Sequence, residues 1–283
     1  MAHALTIECL DPGGGAFLVD DRRYGRRAEG LPAGGPADAR ALAAANELLG
    51  QRPLHPGLEL TLTGGRWLLS GRGQFVLAGA DLNLLGNGRP LETYHVHDLD
   101  GDLFLIGRRS AGASLRTYIA VNGQWEVPAP TNPALPYAAP LPPGWRTTVT
   151  WTEEAPFRSS LDTRRHQTVS PLGLPVRPGP EWDWLTVLQQ HQLLTAPYRV
   201  STSSNRQGLR LEGGPPVPDL PSLLSSPVLP GTVQLSPAGP ILLGPEAQTV
   251  GGYPRVLLLA EPSDLGAAYQ LALGGELRWR LMV

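Results

Sequence analysis

Short segments of alternating apolar and polar residues recur along the chain, and their length sets the fold class. In the first half they fall at 5–9 ("LTIEC"), 16–20 ("AFLVD"), 58–62 ("LELTL"), 66–70 ("RWLLS"), 74–78 ("QFVLA"), 93–97 ("TYHVH"), 102–107 ("DLFLIG") and 115–121 ("LRTYIAV"). Glycine-bearing turns separate most of them, which predicts strands of a barrel or sandwich rather than helices. The second half repeats the texture at 198–202, 208–212, 232–236, 240–244, 255–260 and 276–283. Three helices interrupt the pattern. The first runs through "GGPADARALAAANELLG", where Pro36 suits a first helical turn and Gly50 a stop. Its Ala39, Leu42, Ala43 and Leu49 share a face that would pack on the sheet. The second follows a junction at 163–184 and runs to about His191, and a short third spans 263–270.

Residues 126–146 hold a dense group of prolines that no regular element survives, so they read as a wrapping loop before strand pattern resumes at 147–154. With 283 residues, the chain divides into an N-terminal β-barrel domain, 1–168, and a C-terminal one, 169–283.

Composition narrows the chemistry. A hydrophobic fraction of 41% against 17% charged supports a packed core. The net charge of -2 gives no general attraction to nucleic acid. One cysteine, Cys9, excludes an intrachain disulfide framework and a cysteine-only zinc site. No signal peptide and no apolar run of roughly 20 residues is evident, so a soluble cytoplasmic protein away from membranes is expected. The chain contains no lysine. It therefore forms no lysine Schiff base, supplies no phosphate-loop lysine and carries no covalent biotin. Any bound anion must be held by arginine forks, backbone N–H groups or a helix N-terminus.

Several motifs read as structure. "HVHDLDGD" (95–102) puts His95 and His97 on one strand face near three aspartates, but the spacing does not fit a calcium loop, and Asp100-Gly101 reads as a hairpin turn; no metal is expected. Gly13–Gly15 precede a strand and read as a turn. No G-x-S-x-G elbow supports a serine hydrolase. Three stretches read otherwise. "RRYGRRAEGLPAGGPAD" (22–38), "SSNRQGLRLEG" (203–213) and "QTVGGYP" (248–254) combine arginines with glycine turns at strand and helix mouths, and read as loops converging on one anion-accepting cleft. The binding candidates are Arg23, Arg206, Arg210, Gln248, Thr249, Gly251, Gly252 and Tyr253, with Gly251 and Gly252 giving close backbone access. Asp38 and Glu59 are the candidate catalytic carboxylates, each of which could equally cap or brace the fold.

The same stretches resemble, in order, the carboxyltransferase family that includes the second subunit of allophanate-hydrolase-type proteins, the antagonist of the sporulation kinase inhibitor, and the C-type subunit of 5-oxoprolinase. "DDRRYGRRAEGLPAGGPAD" keeps the family's Asp20, Arg23, Gly25, Gly30, Pro32, Gly35 and Asp38. Asn46 and Gly50, "LELTLTGG" (58–65), "LAGADLNLLGNGRP" (77–90), "VRPGPEWDW" (176–184), "YRVSTSSNRQGLRLEG" (198–213) and "QTVGGYP" follow in sequence. The chain departs at Arg22 (glycine in the family), at Ala37 (often methionine), at Val250 (commonly threonine), and after "YIAV", where the proline loop replaces a Gly-Gly and a Ser-Arg-Ser-Thr segment.

The resemblance implies a mainly β fold with a few short helices, organised as two cyclophilin-like β-barrel domains. It also implies a hetero-oligomer: a kinase-inhibitor-like companion (the B-type subunit of 5-oxoprolinase), joined by a third subunit in the 5-oxoprolinase case. The implied activity is ATP-dependent opening of a lactam, a small cyclic amide, to glutamate, with ATP bound by the complex or by this chain. The alternatives are a biotin-dependent carboxyltransferase of urea amidolyase type, whose biotin would sit on a partner, and a non-enzymatic regulator that binds a kinase-inhibitor-like protein.

Overall fold

The computed structural model describes residues 2–23, 25–108, 115–126, 139–152, 172–221 and 223–282. The chain divides into two compact units, Met1–Asp21 with Asp38–Gln167, and Arg22–Ala37 with Thr168–Val283. The segment 22–37, which lies in the first half by sequence, is thus part of the second unit. Most of the proline loop and the junction from 153 to 171 lie outside the described residues.

The first unit is built from β1 (Ala2–Asp11), β2 (Ala16–Val19), α1 (Ala39–Leu48), β3 (Gly57–Thr61), β4 (Arg66–Gly79), β5 (Leu85–Gly86), β6 (Arg89–Pro90), β7 (Val96–Ile106), β8 (Arg116–Val121), β9 (Gln124–Trp125) and β10 (Arg146–Thr152). Its sheet runs β2-β3-β8-β4-β1-β10-β9, with β7 paired to β4, and curls into a half-barrel. Leu5, Ile7, Leu58, Leu60, Leu69 and Val149 fill its interior.

Two expected breaks in this sheet are continuous strand. The expected strands at 66–70 and 74–78 form one strand, β4, and the hairpin turn expected at Asp100-Gly101 is mid-strand in β7. Gly71 and Gly101 face each other in that ladder at φ 120 and φ 111. A Cβ at Gly71 would lie 2.3 Å from the Ala4 carbonyl oxygen. The glycine lets the strand bend, so that its first part pairs with β1 and its last part, from Phe75, with β8. These glycines mark a bend and a close approach rather than a turn.

α1 starts later than Pro36. Asp38 caps it, its Oδ1 accepting the Ala41 N–H at 3.2 Å. Its buried face is Ala41, Leu42, Ala44, Ala45, Asn46 and Leu48 rather than the face through Ala39 and Ala43. Ala45 and Leu48 pack on Val76, Ala78 and Ala120 of β4 and β8.

The second unit contains β11 (Leu172–Pro178), α2 (Val187–Thr195), β12 (Tyr198–Val200), β13 (Gly208–Glu212), β14 (Ser226–Pro227), β15 (Thr232–Ser236), β16 (Gly239–Leu243), β17 (Val250–Gly251), β18 (Arg255–Leu259), α3 (Leu265–Tyr269) and β19 (Glu276–Leu281). A closed barrel runs β11-β18-β15-β16-β13-β12-β19 and is sealed by the parallel pair β11–β19. A capping box of Thr186 and Gln189 starts α2. Val176, Val233, Leu242, Leu257, Leu277 and Trp279 pack the interior. The mainly β fold class with few short helices is therefore as expected, with one barrel closed and the other half-closed. No helix among the described residues is long and apolar enough to cross a membrane.

Candidate functional site

The site follows from strand alternation in the closed barrel. In β13, Leu209 and Leu211 point into the core, so Gly208, Arg210 and Glu212 face outward. In β15, Val233 and Leu235 point inward, and Gln234 and Ser236 outward. β16 lies between them, with Ile241 opposite both Arg210 and Gln234. The outward face of this wall is thus polar at both flanks of an isoleucine.

Gln234 faces outward yet is only 1% exposed, because the "QTVGGYP" segment covers it. Its Nε2 donates to the Tyr253 carbonyl at 3.0 Å, and its Oε1 accepts from Gln248 Nε2 at 3.3 Å. Gly251 permits that approach: a Cβ there would fall 2.6 Å from Gln234 Nε2. Gly251→Ala is expected to displace Gln234 and loosen the 248–254 cover while the barrel still folds. Amide hydrogen exchange of that segment, with the thermal midpoint of the variant, checks this, and unchanged exchange would contradict it. Gly252 has no such need, since a Cβ there would meet the Leu223 carbonyl at an ordinary 3.4 Å.

Beside this cover lies a cleft of about 150 Å³, lined by Arg210, Gln207, Gln234, Gln248, Asn205 and Tyr253 around Gly208, Ile241 and Leu243. Two of the three arginine- and glycine-bearing stretches therefore line it: 203–213 supplies Arg210, and 248–254 supplies Gln248 and Tyr253, while 22–38 bonds to both of them without lining the cleft. Arg210 is exposed, and its guanidinium has no ion-pair partner among the described residues. Asn205 is committed to the turn, its Oδ1 accepting the Gln207 N–H at 2.8 Å.

The other candidates have different jobs. Arg206 is 7% exposed, and its Nη2 donates to the Gly35 carbonyl at 2.7 Å and to Glu246 Oε1 at 3.3 Å. It ties the segment 22–37 to the barrel rather than lining the cleft. Arg23 lies alongside: a Cβ at Gly34 (φ +69) would sit 3.0 Å from Arg23 Nη1 and 3.7 Å from Glu246 Oε1. The Thr249 carbonyl accepts the Val228 N–H at 3.1 Å and Arg27 Nη2 at 3.2 Å. Arg27 Nη2 also reaches the carbonyls of Val228 and Gln248. Burial lowers the Arg27 pKa. Arg27, Glu246, Gln207 and Gln234 are the residues that sequence reasoning misses. Only Gln234 leaves a signal, as a polar residue inside the apolar run "TVQLS".

Glu181 and Arg255 explain "GPEWDW" and the residue after "GGYP". Arg255 holds the carboxylate with both Nη2 (2.6 Å) and Nε (2.9 Å), and the Arg255 backbone N–H adds a bond at 2.8 Å. The side-chain hydrogen bond from Arg255 holds the Glu181 pKa below its usual value of 4.5. A depressed folded pKa stabilises above the unfolded value and is lost as pH falls through the folded one. Glu181→Gln is expected to cost about 1–3 kcal/mol at neutral pH. The difference from wild type should shrink as pH falls below the usual glutamate range, as thermal melts across pH would show; a difference constant with pH would contradict it.

The candidate catalytic carboxylates sit in the first unit and brace it. Glu59 is fully buried; it accepts from Arg116 Nε at 3.3 Å and from the Tyr118 hydroxyl at 2.9 Å. That hydroxyl accepts the Asp38 backbone N–H at 2.7 Å. Burial, then the Glu59 charge, holds the Tyr118 pKa well above its ordinary value, so the phenol remains a donor. Neither carboxylate lines the cleft described above. His95 and His97 contact each other edge-on at 5.1 Å, and His97 stacks on Phe75 at 5.0 Å. Among the described residues no group of three His, Cys, Asp or Glu is placed to hold a metal ion.

Residues 29–281 match the family described as "Carboxyltransferase domain, subdomain A and B". The chain belongs to that carboxyltransferase-domain family. Among curated relatives of this carboxyltransferase-domain protein, the C subunit of 5-oxoprolinase from Escherichia coli is 31% identical over 91% of this chain and 85% of its own length. The protein of the same name from Haemophilus influenzae is 26% identical over 96% and 90%. "Urea amidolyase" of Lachancea kluyveri is 30% identical over 44% of this chain, which is only 7% of that protein. Among solved structures, TTHA0988 superposes with a TM-score of 0.78 at 26% identity. It covers 99% of this chain, which spans 55% of that one. The Kluyveromyces lactis urea carboxylase superposes with a TM-score of 0.83 at 19% identity, over 98% of this chain and 27% of its own, and shares the fold.

Proposed function

We propose that this carboxyltransferase-domain chain is the C-type subunit of an ATP-dependent 5-oxoprolinase, and that the Arg210 cleft receives the cyclic amide. The observation that carries the reading is the composition of that cleft: one guanidinium with no ion-pair partner among the described residues, beside the carboxamides of Gln207 and Gln248, with no carboxylate among the described lining residues. 5-Oxoproline presents one carboxylate and one lactam amide. Arginine's fork matches the first. Carboxamides donate and accept, which matches the N–H and C=O of the second. The two relatives named as the C subunit of 5-oxoprolinase, each aligned over most of its length, support the same assignment.

In this reading Arg206, Arg27 and Glu246 position the cover rather than touch substrate. Arg23, Thr249, Gly251 and Gly252 shape its surroundings. ATP is bound by the complex, a kinase-inhibitor-like companion and a third subunit complete it, and the assembly works in the cytoplasm. One water opens the ring and a second cleaves ATP: the lactam C–N bond breaks, the ring carbonyl becomes a carboxylate and the amide nitrogen an ammonium, while the bond between the β- and γ-phosphates breaks and the γ-phosphoryl group leaves as inorganic phosphate with ADP.

The test is co-expression with the proposed companion subunits, followed by measurement of glutamate released from 5-oxoproline with and without ATP. ATP-dependent release supports the reading, and an assembled complex that releases none overturns it. The partial match to urea amidolyase favours a second reading, a carboxyltransferase served by a biotinylated partner. Activity abolished by avidin would select it.

A further inference from the structure

The outward face that carries Arg210 continues into a second cleft of about 470 Å³, displaced along the strands toward Glu212. The two clefts share Asn205, Arg210 and Ile241, but the second adds Ser201, Ser203, Glu212 and Ser236. Arg210 and Glu212 are alternate residues of β13, so they leave the same face about 6.6 Å apart along the strand. Ser201 and Ser236 are buried polar residues of this lining. The Ser236 hydroxyl donates to the Gly239 carbonyl at 2.8 Å, and its lone pairs remain to accept. Gly239 itself (φ 121) is left without a side chain where a Cβ would press on the Leu211 carbonyl at 2.8 Å.

The charges are uncommitted. Neither Arg210 nor Glu212 has an ion-pair partner among the described residues. Arg199 is opposite Glu212 in the β12–β13 register, but its Nη1 donates to the Gly274 carbonyl at 3.4 Å. The second cleft thus offers one cation and one anion on a single strand face, with hydroxyls around them. The first cleft offers the same cation with carboxamides and no anion.

That difference selects ligands by the state of one nitrogen. A lactam nitrogen is uncharged and has no use for Glu212. An α-amino acid carries an ammonium that does. We propose that the second cleft is an amino-acid subsite, holding a zwitterion with its carboxylate on Arg210 and its ammonium on Glu212. The inference rests on the reading that the first cleft takes a cyclic amide, and it deepens it: opening the ring creates the ammonium, and the shared Arg210 keeps the carboxylate while the nitrogen end moves from the carboxamides to Glu212.

The experiment is calorimetric titration of the full chain with L-glutamate, with glutarate, which lacks the ammonium, and with 5-oxoproline, for wild type and Glu212→Gln. Wild type is expected to bind glutamate about tenfold more tightly than glutarate, and Glu212→Gln to bind the two alike, with glutamate weakened about tenfold. Glu212 is exposed, so circular dichroism should confirm that the variant folds. Equal affinity of wild type for glutamate and glutarate overturns the subsite, as does a Glu212→Gln variant that binds glutamate like wild type, or no glutamate binding at millimolar concentration. If glutamate discrimination depends on Glu212 while 5-oxoproline does not bind, the subsite stands and the lactam reading of the first cleft falls.

Discussion

Arg210→Ala is expected to lower kcat/KM of the assembled complex for 5-oxoproline by about a hundredfold, with the fold intact. The guanidinium is the cleft's one cation and is not spent on any carboxylate of the described chain. A charge-assisted hydrogen bond contributes about 1.5–3 kcal/mol, and a bidentate fork reaches the upper end. Because Arg210 is exposed, its removal should change stability by no more than about 0.5 kcal/mol. If the fork grips substrate and transition state alike, the loss appears in KM; if it tightens as charge develops, it appears in kcat. Arg210→Lys should recover only part of the affinity, because an ammonium restores charge without the planar fork. Steady-state kinetics of the three proteins, with thermal melts as control, give the answer. Wild-type kinetics in Arg210→Ala would remove the residue from the site.

Arg206→Ala should have the opposite signature, with a large loss of stability. Arg206 and Glu246 form an ion pair at 3.3 Å with side chains 7% and 3% exposed. Glu246 Oε2 has no hydrogen-bond partner among the described residues, so removing Arg206 strips a buried carboxylate of the cation held against its other oxygen. Breaking a buried pair from one side costs about 3–5 kcal/mol, a large part of a domain's typical stability. The Gly35 carbonyl loses its donor in the same step, which loosens the segment 22–37 at that point while Arg27 still holds it elsewhere. The midpoint of urea unfolding should fall accordingly. The double variant Arg206→Met with Glu246→Leu should regain part of the loss, because it removes the stranded charge. A single variant as stable as wild type would show that the pair does not anchor the segment.

The contrast between these two arginines shows how far the sequence is legible. "NRQGLRLEG" places both near a glycine turn, and nothing in their spacing separates them. Strand alternation does so only for Arg210, which lies between Leu209 and Leu211 and must face outward. Arg206 precedes the strand, where no period applies, and its burial depends on Glu246 and Gly35, residues 40 and 171 positions away. The second-half strands 208–212 and 232–236 match the structure residue for residue, because period-two patterning and flanking glycines agree there. The turn expected at Asp100-Gly101 fails, because a glycine that bends a paired strand looks, locally, like one that ends it. Arg27 is invisible for a third reason. Its targets are main-chain carbonyls, and those carry no side-chain signature.

The proposed function turns on one surface: the polar outward wall of the closed barrel, around Arg210, which we propose receives a carboxylate-bearing cyclic amide. Amide chemical-shift mapping of the isotope-labelled full chain, titrated with 5-oxoproline, probes that wall residue by residue. The expected result is saturable shifts at Gln207, Gly208, Arg210, Gln248 and Tyr253, lost in Arg210→Ala. Shifts confined to the first unit, or an unchanged pattern in Arg210→Ala, would contradict it.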